Sequence, residues 1–144
     1  MFNVFASLVG RLFNSNFNYE RECINEAVKE EVAKEYDIPT KALDKVEVKP
    51  AFLSWDTLGM YIPKIKKIFA DIGVYFGRLW DYTYVVAHEY AHAAQDYLGL
   101  LTPERVDNYR DLYEANADKT AKKVCEKIDL DKCYSKPKLS LPFF

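Results

Sequence analysis

Asp81-Tyr82-Thr83-Tyr84-Val85-Val86-Ala87-His88-Glu89-Tyr90-Ala91-His92-Ala93-Ala94-Gln95-Asp96-Tyr97-Leu98 is the stretch on which the reading of this chain turns. Its apolar residues recur at helical spacing, which predicts one long helix over 81–98. Gly99 stands where a helix closes, because glycine takes the left-handed backbone that ends many helices. Inside this segment His88-Glu89-Tyr90-Ala91-His92 has the form H-E-x-x-H. Residues i and i+4 on a helix sit about 40° apart and one turn along, so both imidazoles reach one metal ion. Glu89 lies about 100° round from His88, at the edge of the same face. It can touch a water held by the metal without binding the metal. A zinc hydrolase needs that arrangement. The motif alone also arises by coincidence, but these are the only two histidines in the chain.

A catalytic zinc needs a third protein ligand and an open position. Downstream, Thr102-Pro103-Glu104 reads as an N-cap followed by proline at the first helical position. Helix is expected from there to about Ile128, with a break near Asp107. On a regular helix Glu114, Ala117, Asp118, Ala121, Cys125 and Ile128 share one mostly apolar face. Carboxylates on such a face are costly unless paired or metal-bound. Glu114 is then the third ligand. Asp118 accepts from the second ring nitrogen of a ligand histidine, with His88 favoured and His92 left open, because metal-bound histidines usually donate to such a partner. The plain alternative is a solvated helix with scattered acids.

Upstream, Phe5, Leu8, Val9, Leu12 and Phe13 make one apolar face on a short helix. That face either docks on the domain or lies on a membrane surface or partner. Asn14 to Asn18 reads as a linker. Tyr19 to Tyr36 reads as a second helix with Ile24, Ala27, Val28 and Val32 inward, stopped by Asp37-Ile38-Pro39. Lys45 to Lys49 alternates as a short strand. Leu58 to Tyr61 and Lys67 to Ile72 read as a hairpin about Ile62-Pro63-Lys64. Val74 to Phe76 either extends the sheet or starts the approach to the next helix. Ser135 to Phe144, with two prolines, is expected to be an extended tail that packs on the domain, binds a partner, or lies in the cleft and suppresses activity.

The 144 residues fit a single domain, and 49% hydrophobic with 29% charged residues describes a folded chain. The net charge of −2 and the absence of a basic block argue against nucleic acid as a partner. No apolar run is long enough to span a bilayer. Three cysteines are too few for a disulfide scaffold. Cys125 and Cys133 could pair across a turn, but free buried thiols are the simpler expectation, and with them a reducing, cytoplasmic compartment.

HEYAH followed 22 residues later by Glu114 in E-x-x-A-D form resembles the gluzincin clan of metallopeptidases. That clan includes thermolysin and HtpX-like and CAAX-processing membrane proteases. Glu114-Ala115-Asn116 is also similar to a stretch of the ImmA/IrrE-type metallopeptidases. The small size resembles the minigluzincins. The likeness covers roughly residues 43 to 128 and includes YIPKIKKIFADI, similar to an edge strand and hairpin before the active-site helix. The resemblance implies Glu114 as zinc ligand and Asp118 as its helper behind the site. No histidine remains to stabilise an oxyanion, so that role falls to a tyrosine or to nothing.

The resulting expectation is an α+β fold: a small twisted sheet on an active-site helix and a glutamate helix, with N-terminal helices added. Residues 1–18 form the amphipathic helix and linker, 19–42 an accessory helix, 43–128 the core and 129–144 the tail. The expected function is zinc-dependent peptide hydrolysis. One Zn²⁺ sits on His88, His92 and Glu114, Glu89 activates the water, and Leu58, Gly59, Met60, Tyr61 and Tyr109 contact a peptide or protein substrate. The alternatives are an inactive zinc-binding protein or an interaction module in which the motif is accidental.

Overall fold

The computed structural model describes the backbone of residues 2–134 and the side chains of residues 18–134. The tail Ser135–Phe144 and the apolar face expected on residues 5–13 lie outside that description. The fold is α+β. Helix α1 (Phe2–Tyr36) leads to strands β1 (Glu47–Ala51), β2 (Gly59–Ile62) and β3 (Lys67–Asp71). The short α2 (Ile72–Tyr75) then precedes the two long helices α3 (Leu79–Tyr97) and α4 (Pro103–Lys127).

Two boundaries differ from the sequence reading, and one open choice is resolved. The expected linker at Asn14–Asn18 is helical, because α1 runs through it unbroken. Asn and Ser cost a helix well under 1 kcal/mol each, and the stretch holds no Gly or Pro to break it. The first strand begins and ends two residues late, so Pro50 falls inside β1. The sheet order is β1-β3-β2, which puts β1 on an edge where a proline is tolerated. Val74 belongs to α2 rather than to the sheet.

The hairpin forms as expected. Antiparallel β2 and β3 pair Met60 with Phe69 and Tyr61 with Ile68, while β1 runs parallel to β3. Along β3, Ile68 and Ala70 point to the core and are fully buried. The core closes between that face, α3 and α1, which contributes Ile24, Val28 and Val32, all 0% exposed. Burying each of these side chains stabilises the fold by about 1.5–3 kcal/mol. Ala27 is only partly buried, and Ala33 joins the core instead.

The cysteines also pair differently. Cys23 on α1 is bonded to Cys133, which closes the 3₁₀ turn Leu130–Lys132 that follows α4, 110 residues away in sequence, and Cys125 is the free thiol. Neither a Cys125–Cys133 pair nor three free thiols is formed. The free-thiol premise for a reducing compartment therefore falls. No helix among the described residues is long and apolar enough to cross a membrane.

The turn between α3 and α4 is closed tightly. Gly99 has φ of 77°, Gly99 N–H donates to Asp96 O at 2.9 Å and Leu100 N–H donates to Gln95 O at 2.9 Å. These are the two bonds of a Schellman ending. Thr102 then caps α4 by accepting from Arg105 N–H at 3.3 Å, with Pro103 in the first turn. The two helices run back along one another, and fully buried Ala91 and Ala117 fall between the pairs of side chains that meet across the seam.

Candidate metal centre

α3 brings His88 and His92 onto one face, and α4 brings Glu114 across from them. One donor atom from each lies within 4.8 Å of the others. His88 Nε2 is 3.1 Å from His92 Nε2 and 3.1 Å from Glu114 Oε2, and His92 Nε2 is 2.9 Å from Glu114 Oε1. The two imidazoles are largely covered, with side chains 15% and 13% exposed. Burial holds the His92 imidazole below the ordinary histidine range, against the opposing pull of Gln95 and Glu114, so its neutral form is favoured.

The outer nitrogens settle the tautomers. His88 Nδ1 lies 2.9 Å from Asp118 Oδ1, a carboxylate that can only accept. His92 Nδ1 lies 2.9 Å from Gln95 Oε1. The Gln95 amide nitrogen is already committed as a donor to Tyr113 O at 3.0 Å and to Asn116 Oδ1 at 3.1 Å, so its oxygen faces the histidine. Both Nδ1 atoms therefore carry hydrogen, and in neutral rings both Nε2 atoms are bare lone pairs. These lone pairs face each other and a carboxylate, an arrangement that repels itself unless a cation sits among them. A tetrahedral zinc with bonds of about 2.0–2.1 Å to nitrogen and oxygen would hold such donors about 3.3 Å apart. The donors need open by only a few tenths of an ångström, so the residues fit the ion.

Glu89 belongs to the same site but to none of these bonds. It is 7% exposed. Burial pushes its carboxyl up to about 7, with Glu114 adding to the rise while His88 and a hydrogen bond from the backbone of Tyr61 oppose it. That bond, with Gly59, records how closely β2 lies over α3. A Cβ on Gly59 would stand 2.6 Å from Val85 Cγ1 and 3.1 Å from Glu89 Cγ, so only glycine permits the approach. The end of β2 is tied down by Tyr61 Oη, which donates to Asp96 Oδ2 at 2.6 Å, and by Lys66 Nζ, 2.5 Å from the same oxygen.

Between β2, α3 and α4 lies a cavity of about 420 Å³, lined by Gly59, Met60, Tyr61, His88, Glu89, His92, Leu101, Val106, Arg110, Tyr113 and Glu114. A second cavity of about 280 Å³ shares Gly59, His88 and Glu89 with it and adds Asp56, Thr57, Leu58, Tyr84 and Val85. Of the residues expected to contact substrate, Gly59, Met60 and Tyr61 border the first cavity and Leu58 the second. Tyr109 borders neither. It has φ of −127° and ψ of 17°, a break in α4 two residues after the expected Asp107, and it lines a separate depression over Asp107–Leu112.

Asp118 contacts His88 and not His92, a choice the sequence left open between the two. Gln95, Arg110 and Tyr113 were missed. Gln95 lies three residues past His92 and is 1% exposed, and its role shows only in its bonds to Tyr113 and Asn116 across the seam. Comparison with protein-family models, curated proteins and solved structures gives no significant match. The gluzincin likeness of the two motifs rests on those residues alone.

Proposed function

We propose that this chain is a zinc-dependent peptidase of gluzincin-like arrangement, with His88, His92 and Glu114 as metal ligands and Glu89 as catalytic base. The observation that carries the reading is the convergence of two imidazole Nε2 atoms and a carboxylate beside the buried Glu89. A zinc that only braces a fold takes four protein donors, and a catalytic one leaves a position open. Three donors opening on a cavity of about 420 Å³ favour the second kind.

Bound there, zinc would supply Lewis acidity to a peptide carbonyl and to the attacking water. Asp118 and Gln95 keep the Nδ1 protons on His88 and His92, which keeps both Nε2 lone pairs available. Among the described residues no strand pairs with the outer edge of β2, and an extended peptide adds there beside the Tyr61 backbone bond to Glu89. Glu89 removes a proton from water and returns it to the leaving amine. Two tyrosines line the cavity, and the Tyr61 hydroxyl is committed to Asp96. Tyr113 is thus the tyrosine available to a developing oxyanion.

Zinc content by native mass spectrometry, read beside cleavage of an unfolded protein such as casein, tests the proposal. The parent should carry about one zinc and cleave. Glu89→Gln should keep zinc and lose cleavage, and His92→Ala should lose both. Full turnover by Glu89→Gln, or no zinc uptake at neutral pH, would refute it.

A further inference from the structure

Arg110 lines the central cavity, on the α4 face that also carries Glu114 one turn later, and it is the only Lys or Arg among the described lining residues. An arginine at i and a glutamate at i+4 are within reach of one another on a helix. Here both Glu114 oxygens turn to the histidines, Oε2 to His88 and Oε1 to His92. Among the described residues Arg110 has neither a hydrogen bond nor an ion pair. Its guanidinium keeps its charge at any relevant pH and presents a planar fork of donors. Leu101 and Val106 form apolar wall beside it, and the bend of α4 at Tyr109 falls one residue before it.

The charge count of the cavity points the same way. Arg110 supplies the one positive side chain among the described residues that line the cavity. At the far end of the cleft, the second cavity is bordered instead by Asp56. The unpaired cation therefore stands on the α4 side of the first cavity and the acid Asp56 on the second.

We propose that Arg110 reads a carboxylate on the bound peptide, from an acidic side chain or from the free C-terminus. Resting on the peptidase reading, this names the substrate class: peptides with an anionic group on the Arg110 side of the scissile bond. A bidentate pair between guanidinium and carboxylate supplies both affinity and orientation. It also fixes the direction in which a peptide lies along β2, which the strand edge alone leaves open.

The test uses the full chain carrying Glu89→Gln, supplied with zinc, so that peptides bind without being cleaved. One set of peptides places Glu or Gln at each position in turn, all with C-terminal amides. A second set compares a neutral peptide as free acid and as amide. Anisotropy titrations should show an acidic peptide binding about 10-fold tighter or better than its neutral twin, the range of a charge-assisted pair, and less so at high salt. The responding set identifies the source of the carboxylate. Adding Arg110→Gln should bring the ratio to about one, Arg110→Lys should keep part of it, and Arg110→Glu should favour a Lys-containing peptide. Zinc content and circular dichroism report that each variant is folded. No acidic advantage, or one that survives Arg110→Gln, overturns the proposal. If the parent cleaves peptides without any acidic preference, the carboxylate reading fails and the peptidase reading stands. If the Arg110-dependent preference appears in binding while the parent cleaves nothing, the peptidase reading fails and the role of Arg110 stands.

Discussion

Replacing Glu89 with Gln in the metal-free protein should remove a pH dependence of folding that this single carboxyl imposes. The native structure holds Glu89 at about 7 against an ordinary 4.5, chiefly because the side chain is buried under Gly59 and Val85. Below about pH 4.5 the group is protonated in both folded and unfolded chains and adds nothing. Between there and pH 7 the native state keeps a proton that the unfolded chain has released, so stability falls as pH rises. Above about 7 both are ionised, and the native state carries the whole cost. At about 1.4 kcal/mol per pH unit that cost is about 3 kcal/mol. Gln cannot titrate and fits the same space. Urea unfolding of both proteins in chelator, from pH 4 to pH 8, measures the effect as the difference between two curves. Contributions common to both proteins, such as His92, cancel to first order. The parent should lose about 3 kcal/mol relative to Glu89→Gln across this window, and zinc should shrink the loss, since a nearby dication favours the ionised carboxylate. A difference that stays flat within about 1 kcal/mol, or that rises with pH, would refute the claim that burial controls Glu89.

Asp118→Ala should weaken zinc binding by about 10–100-fold in a chelator competition, because it frees the His88 ring to turn. Unchanged affinity would mean that the 2.9 Å contact does not orient the ring. Gly59→Ala places a Cβ 2.6 Å from Val85 Cγ1. It should cost about 1–3 kcal/mol in urea unfolding while lifting β2 from α3, and a variant as stable as the parent would show that the close approach is not required. Cys133→Ser removes a cross-link spanning 110 residues and should cost up to about 5 kcal/mol by loop entropy. The parent in reductant should then unfold at the variant's urea midpoint, and a parent indifferent to reductant would argue against the bond.

What could be read in the sequence was what short-range chemistry fixes. The limits of α3 follow from periodicity and Gly99, the start of α4 from Thr102 and Pro103, and the hairpin from two apolar runs about a proline turn. His88, Glu89 and His92 are legible because a helix alone sets their spacing. Glu114 and Asp118 were reachable from their helical register, but the premise of a buried apolar face was wrong, since both side chains are about half exposed. The readings that failed depend on distant partners or on context. Cys23 meets Cys133 across nearly the whole chain, and nothing local to Cys23 marks it. The Asn14–Asn18 stretch has turn-like composition, yet helix on both sides carries through it. Gln95 gains its meaning only from Tyr113 and Asn116 on the other helix. Arg110 matters because Glu114 is turned away from it, which depends on where both histidines point.

The seam that sets the donor spacing is built without the metal, and this decides what removing zinc should do. Gln95 is buried and bonded to His92, to Tyr113 O and to Asn116, and the Tyr36 hydroxyl donates to the same Asn116 oxygen. Ala91 and Ala117 are fully buried on the same faces, and the apolar core runs from α1 to β3 behind them. None of these contacts uses the ion. Small metal domains that lack such a core unfold when stripped. Here the metal should act by mass action alone, contributing about 2.7 kcal/mol when free zinc stands 100-fold above its dissociation constant. Chelation should therefore lower the melting temperature by several degrees while leaving the far-ultraviolet circular dichroism unchanged at 25 °C. Each tenfold change in free zinc should shift stability by about 1.4 kcal/mol once the site is near saturation. Loss of helical signal on chelation at 25 °C would show that the seam depends on the ion, and the lone-pair convergence would then be a product of binding rather than a site prepared for it.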